Sequence, residues 1–123
     1  MDTSERTRRT ASGLLAATGA LHLILAPEYL GEQAYVGVLF ILGGIAALAL
    51  ALRLWNRSDT ETWAASAALA GGMAVGFILS RTVGLPGFYE EEWELSGIVS
   101  VLLEAGVVAY AAGALRQRIP STA

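Results

Sequence analysis

The sequence has no cysteine and no lysine, one histidine and three prolines in 123 residues. Without cysteine there is no disulfide framework, no thiolate metal site, and none of the quinone-linked dithiol chemistry of four-helix disulfide-forming membrane enzymes. The single histidine, His22, excludes bis-histidine haem within one chain and leaves only a single-ligand or shared haem. A catalytic zinc needs three protein ligands, and His22, Glu104 and Glu28 are the one set on offer. Gly-rich phosphate loops, nucleophile elbows and HExxH patterns are also missing. No motif names a cofactor. All eight basic residues are arginines against eleven acidic residues, a net charge of −3; this makes no basic groove, so nucleic acid is not an expected partner.

Charge is scarce, at 15% of residues, while 54% are hydrophobic. That balance belongs to integral membrane proteins rather than soluble globules, and the length allows one domain, 1–123. Four apolar runs, at about 10–30, 34–54, 63–85 and 95–115, each approach the ~20 residues needed to cross ~30 Å of hydrocarbon. The sequence therefore predicts an all-α bundle of four transmembrane helices. A secretory signal peptide is the rival reading of the first run, ranked lower because the run is long, holds His22 and lacks a clean cleavage site. Pro27 is expected to kink or end the first helix.

Seven arginines (Arg6, Arg8, Arg9, Arg53, Arg57, Arg116 and Arg118) fall at the two termini and the central loop, which share one side of a four-helix protein. Glu28, Glu32, Glu90, Glu91, Glu92 and Glu94 fall on the other. The positive-inside rule then puts both termini in the cytoplasm and the chain, multi-pass, in the plasma membrane. Tyr29, Tyr35, Phe88, Tyr89 and Trp93 are expected to form an outer aromatic belt, Trp55 and Trp63 an inner one. The acidic cluster at 90–94 reads as a solvated loop, with weak divalent-cation binding as the alternative. In the third run a small residue recurs at every fourth position, Ala64, Ala68, Gly72, Gly76, Ser80 and Gly84, a ridge expected to pack closely against protein.

Three ionisable residues break the apolar runs. Arg81 sits near the end of the third, Glu104 lies inside the fourth and His22 inside the first. Ionisable residues at membrane depth are costly, about 2.5–3.5 kcal/mol at mid-helix on insertion scales, and mark functional sites by default. From the helix ends, Glu104 and His22 both lie roughly 12–14 Å below the outer face, and Arg81 about 6 Å. Arg81 can snorkel outward or reach inward to Glu104; an Arg81–Glu104 pair with His22 as third member is the expected constellation. Its plainer reading is a structural ion pair, with His22 a neutral packing residue and Glu28 a marker of the membrane surface beside Pro27.

The pattern His22-x4-Pro27-Glu28, the string Ser80-Arg81-Thr82-Val83-Gly84-Leu85-Pro86 and Glu104 together resemble a group of uncharacterised small four-helix membrane proteins of actinomycetes and related high-GC bacteria. The resemblance covers most of the chain. It implies that His22, Glu28, Arg81 and Glu104 belong to one recurring set, with Ser80 inside the most specific motif. Many members carry an Asp near the start of the last helix where this chain has Gly97 or Ser100, a departure that weakens metal and proton-relay readings. The expected function is a binding or accessory component, alone, as a homo-oligomer or in a larger membrane complex. Its pocket in the outer half holds an ion, a small anion or a partner's polar group. A minimal proton-coupled transporter and a membrane metal- or haem-binding protein are the alternatives.

Overall fold

The computed structural model describes residues 3–118; the side chain of Arg118, counted above among the arginines of one side, lies outside the described set. Four helices follow in order: α1 (Thr3–Glu32), α2 (Ala34–Asn56), α3 (Thr60–Arg81) and α4 (Leu95–Arg118). All four are long and apolar enough to cross a membrane. The distribution of polarity suits a membrane helical bundle. Large apolar side chains such as Leu39, Leu42, Leu52, Leu95 and Leu102 are exposed, while Ser12, Thr18, His22, Ser66, Ser100 and Glu104 are buried. A water-soluble monomer does not expose apolar surface on this scale.

Several helix boundaries differ from those the sequence predicts, the start of α1 most of all, at Thr3 where the sequence predicts about 10. α1 continues through Pro27, because proline removes only one backbone bond, the one to the Leu23 carbonyl, while Ala26 and Tyr29 on either side are buried. α3 stops at Arg81, four residues early. Gly84 takes a left-handed φ of 87° and its N–H bonds the Leu79 carbonyl at 2.7 Å, closing the helix end. Pro86-Gly87 then turns the chain between Leu85 and Phe88, which exchange backbone hydrogen bonds of 2.7 and 2.9 Å. α3 begins on a side-chain cap, Asp59 accepting from the Thr62 N–H at 2.7 Å. The Thr62 hydroxyl first and then that N–H bond, helped by Arg57 and Arg53, hold Asp59 at about 2 against an ordinary 3.8. The cap's contribution is thus complete above pH 3.8 and lost as pH falls toward 2.

The helices form a ring in chain order, with α1 packed on α2 and α4, α3 on α4, and the α2–α3 side the least packed. The backbones of α1 and α2 approach closely at Gly19 and Gly44. A β-carbon on Gly44 would lie 2.9 Å from the Gly19 carbonyl oxygen, and one on Gly19 3.0 Å from that of Gly44. The expected close-packed ridge on α3 is corrected here: Gly72 and Gly76 have nothing within 4 Å of where a β-carbon would stand, and Ala64, Ala68 and Gly72 are exposed. Small size on α3 makes space instead of contact.

Two of the expected belts also lose members. Trp63 is 2% exposed and packs with Ala11, Leu54 and Ala111, its indole N–H donating to Ser58. Tyr29 and Phe88 turn inward to pack with Val36; Trp55, Tyr35, Tyr89 and Trp93 remain exposed. A core of Leu15, Ala47, Ala51, Ala70 and Val107 fills the half of the bundle nearer the 57–59 connection. The Tyr29 cluster caps the opposite end. Between them the bundle is hollow.

Candidate functional site

The hollow is a cavity of about 500 Å³ reaching from Tyr29 and Arg81 at one end to Ala46 and Ala68 deeper in. His22, Ser80, Arg81, Ser100 and Glu104 all line it; Glu28 is exposed and does not. Four of the five expected site residues therefore open on one space. They do not form one cluster.

Helix geometry builds the deeper cluster. Thr18 and His22 are one turn apart on α1, Ser100 and Glu104 one turn apart on α4, and i,i+4 pairs stack on one face. Glu104, 1% exposed, accepts from the Thr18 hydroxyl at 2.8 Å and the Ser100 hydroxyl at 2.7 Å, both at Oε2. Oε1 has no hydrogen-bonding partner among the described residues. His22 Nδ1 is 2.8 Å from the Thr18 carbonyl oxygen; a carbonyl only accepts, so Nδ1 carries the proton. Nε2 faces Glu104 Oε2 at 3.8 Å, too long for a hydrogen bond and within ion-pair range. The expectation that His22 and Glu104 share a level holds.

The expected Arg81–Glu104 pair is corrected. Arg81, on the last turn of α3, reaches outward along its own helix end. Its Nε donates to the Glu92 carbonyl at 3.1 Å, Nη1 to Ser80 Oγ at 2.7 Å and Nη2 to the Tyr29 hydroxyl at 3.0 Å, with Glu94 3.8 Å away. Ser80 in turn donates to the Phe77 carbonyl. Phe77 supplies the physical reason for the outward turn: its ring presses on Gly97 of α4 and lies 4.2 Å beneath the guanidinium, filling the inward path. Gly97 does not leave room for arginine; it is taken up by Phe77. Burial and the charge of Glu28 push the Glu94 carboxyl up against the lowering pull of Arg81.

An aromatic wall joins the two clusters. Phe40 of α2 stacks between His22 (4.7 Å between centroids) and Tyr29 (4.4 Å), and Tyr29 meets Phe88 edge-on. The sequence reading missed Thr18, Tyr29 as a partner of Arg81, Phe40 and Glu94. The legible signal for Thr18 was a hydroxyl one turn before the lone histidine, matched by Ser100 one turn before Glu104. Among the described residues no three of His, Cys, Asp and Glu gather as metal ligands, and His22, Glu104 and Glu28 do not converge on the cavity as a set. Searches against family models, curated proteins and solved structures gave no match, so this geometry is read on its own terms.

Proposed function

We propose that the chain is a small multi-pass plasma-membrane binding or accessory protein, both termini cytoplasmic, whose cavity in the outer half of the bundle holds a small ligand. One observation carries the reading: a buried arginine and a buried glutamate, each held by its own partners, open on one shared cavity. A purely structural ion pair would join the two, and cavity size falls within the usual ~300–1,000 Å³ of ligand sites. Of the recurring set that the sequence resemblance implies, His22, Arg81 and Glu104 line the cavity, with Ser80 beside them, and Glu28 does not.

The test is native mass spectrometry of detergent-purified wild type, Arg81→Met and Glu104→Gln. Wild type retains a small molecule that both variants lose while keeping their helical content. An empty wild type, or a molecule kept by both variants, overturns the proposal.

A second reading, the minimal proton-coupled transporter, gains from the same geometry. Glu104 is not bound by an arginine, and His22 Nε2 stands 3.8 Å from its Oε2. In proteoliposomes that reading requires a pH gradient to drive uptake of the retained molecule in wild type and not in Glu104→Gln; equal uptake with and without the gradient rejects it.

A further inference from the structure

The way into the cavity and the charges on its wall together narrow the ligand. α2 and α3 are tied at both ends. Tyr35 donates to the Pro86 carbonyl and Gln33 to the Gly87 carbonyl at 3.0 Å at one end; Arg53 donates to Thr62 Oγ1 at 2.8 Å at the other. Between these ties the two helices pack least of all the neighbours in the ring. The gap between them is lined by Leu42 and Gly43 on α2 and Gly72, Met73 and Gly76 on α3. It is bridged by one flexible side chain: the Met73 methyl rests where a β-carbon on Gly43 would be 2.9 Å away. Methionine has three rotatable bonds and swings at little cost. Leu39 and Leu42 beside the gap are 57% and 59% exposed, so in a bilayer this side faces hydrocarbon. A gap closed at its ends and loosely bridged at its middle is a window to lipid.

Inside, neither full charge is left for a ligand. Arg81 is answered by Glu94, Tyr29, Ser80 and the Glu92 carbonyl, and Glu104 accepts from the Thr18 and Ser100 hydroxyls. A charged head group would add an uncompensated charge to a low-dielectric space. Hydrogen-bonding capacity does remain. The Tyr29 oxygen accepts from Arg81, leaving its own proton to donate; His22 Nε2 makes no hydrogen bond; Glu104 Oε1 has no partner among the described residues. The deeper walls, Leu42, Ala46, Ala68 and Leu69, are wholly apolar.

Resting on the binding role proposed above, we infer that the ligand is an uncharged amphiphile dissolved in the bilayer, an alcohol on a hydrocarbon tail. It enters sideways between α2 and α3 past Met73. Its oxygen meets the polar wall of Tyr29, His22 and Glu104, and its tail lies over Gly72 and Gly76.

The experiment uses the full chain in phosphatidylcholine nanodiscs and a long-chain primary alcohol carrying a diazirine on its tail. Light is expected to attach the probe to the Leu42 and Met73 segments. Excess plain long-chain alcohol displaces it; an alkanoate or alkyltrimethylammonium of equal length, or a short-chain alcohol, does not. Gly72→Leu and Gly76→Leu each add a β-carbon with nothing within 4 Å of it, so they are expected to melt no lower than wild type yet lose the displaceable label. Displacement by a charged competitor or by the short alcohol, or full labelling in both glycine variants, overturns the inference. If the charged or short competitor wins and Arg81→Met abolishes that binding, the cavity is still a ligand site and only its chemistry is wrong. No displaceable labelling by any competitor, with no molecule retained in the mass spectra, overturns both.

Discussion

Arg81 and Glu104 meet the same problem, a charge-bearing side chain among apolar helices, by opposite means. Arg81 has a long stem and a position on the last turn of α3, so it turns toward the 82–94 connection and finds a carbonyl, a phenol and a carboxylate. Glu104 has a short stem at mid-helix and must be satisfied where it stands, by two hydroxyls and a histidine. The two residues should therefore be energetically independent. In double-mutant cycles on thermal or denaturant stability, Arg81→Met and Tyr29→Phe are expected to couple by about 0.5–3 kcal/mol, as residues in one hydrogen-bonded network do. Arg81→Met and Glu104→Gln are expected to add within about 0.5 kcal/mol, as separated sites do. Strong coupling of the second pair would restore the ion pair that composition alone suggests. That His22 and Glu104 share a level was legible in the sequence, since it follows from helix rise. The direction of the arginine was not, because it depends on Phe77 occupying Gly97, a contact between helices that no local pattern encodes.

At the level of the helices, apolar run length marked all four elements, and the errors lie where local chemistry outweighs hydropathy. Val83 and Leu85 extend the apolar run, but the left-handed Gly84 and the Pro86-Gly87 turn end α3 before them. Small residues were equally ambiguous. A glycine on a helix face can admit a backbone or leave a void, and the sequence pattern on α3 looked like the first but is the second. The contrast predicts opposite outcomes for the same substitution. Gly44→Leu forces a side chain against the Gly19 carbonyl 2.9 Å from its β-carbon and should cost at least about 1–3 kcal/mol, the usual penalty of overpacking. Gly72→Leu adds a β-carbon with nothing within 4 Å of it and replaces a poor helix former, so its effect should be neutral or a gain of up to about 1 kcal/mol. Melting curves of the two variants in one detergent decide the matter. Equal destabilisation would mean that α3 is packed where the structure leaves it open.

For the molecule as a whole, charge divides along the bundle axis, and the structure ties each group of charges to one end. Arg8 donates to the Leu54 and Trp55 carbonyls and Arg9 lies over the Trp55 ring, so the arginines of the first turns gather at the C-terminal end of α2 with Arg53 and Arg57. At the far end Gln33 and Tyr35 bond the Pro86-Gly87 turn, and Arg81 is drawn to Glu94 beside Glu90 and Glu92. Arg81 does not offset the asymmetry, because it is 5% exposed and already paired. Arginine excess near helix ends sets membrane orientation, and acidic residues contribute little to it, so the arginine-rich end should be cytoplasmic. The absence of native cysteine makes the test clean, since any introduced thiol is the sole target. Asn56→Cys and Glu91→Cys replace exposed residues at opposite ends. On intact cells an impermeant maleimide should label Glu91→Cys at once and Asn56→Cys only after the membrane is opened. Labelling of both from outside would mean that the helices do not cross the bilayer. The reverse order would place the cavity in the inner half, where His22, Arg81 and Glu104 would face a ligand coming from the cytoplasmic leaflet.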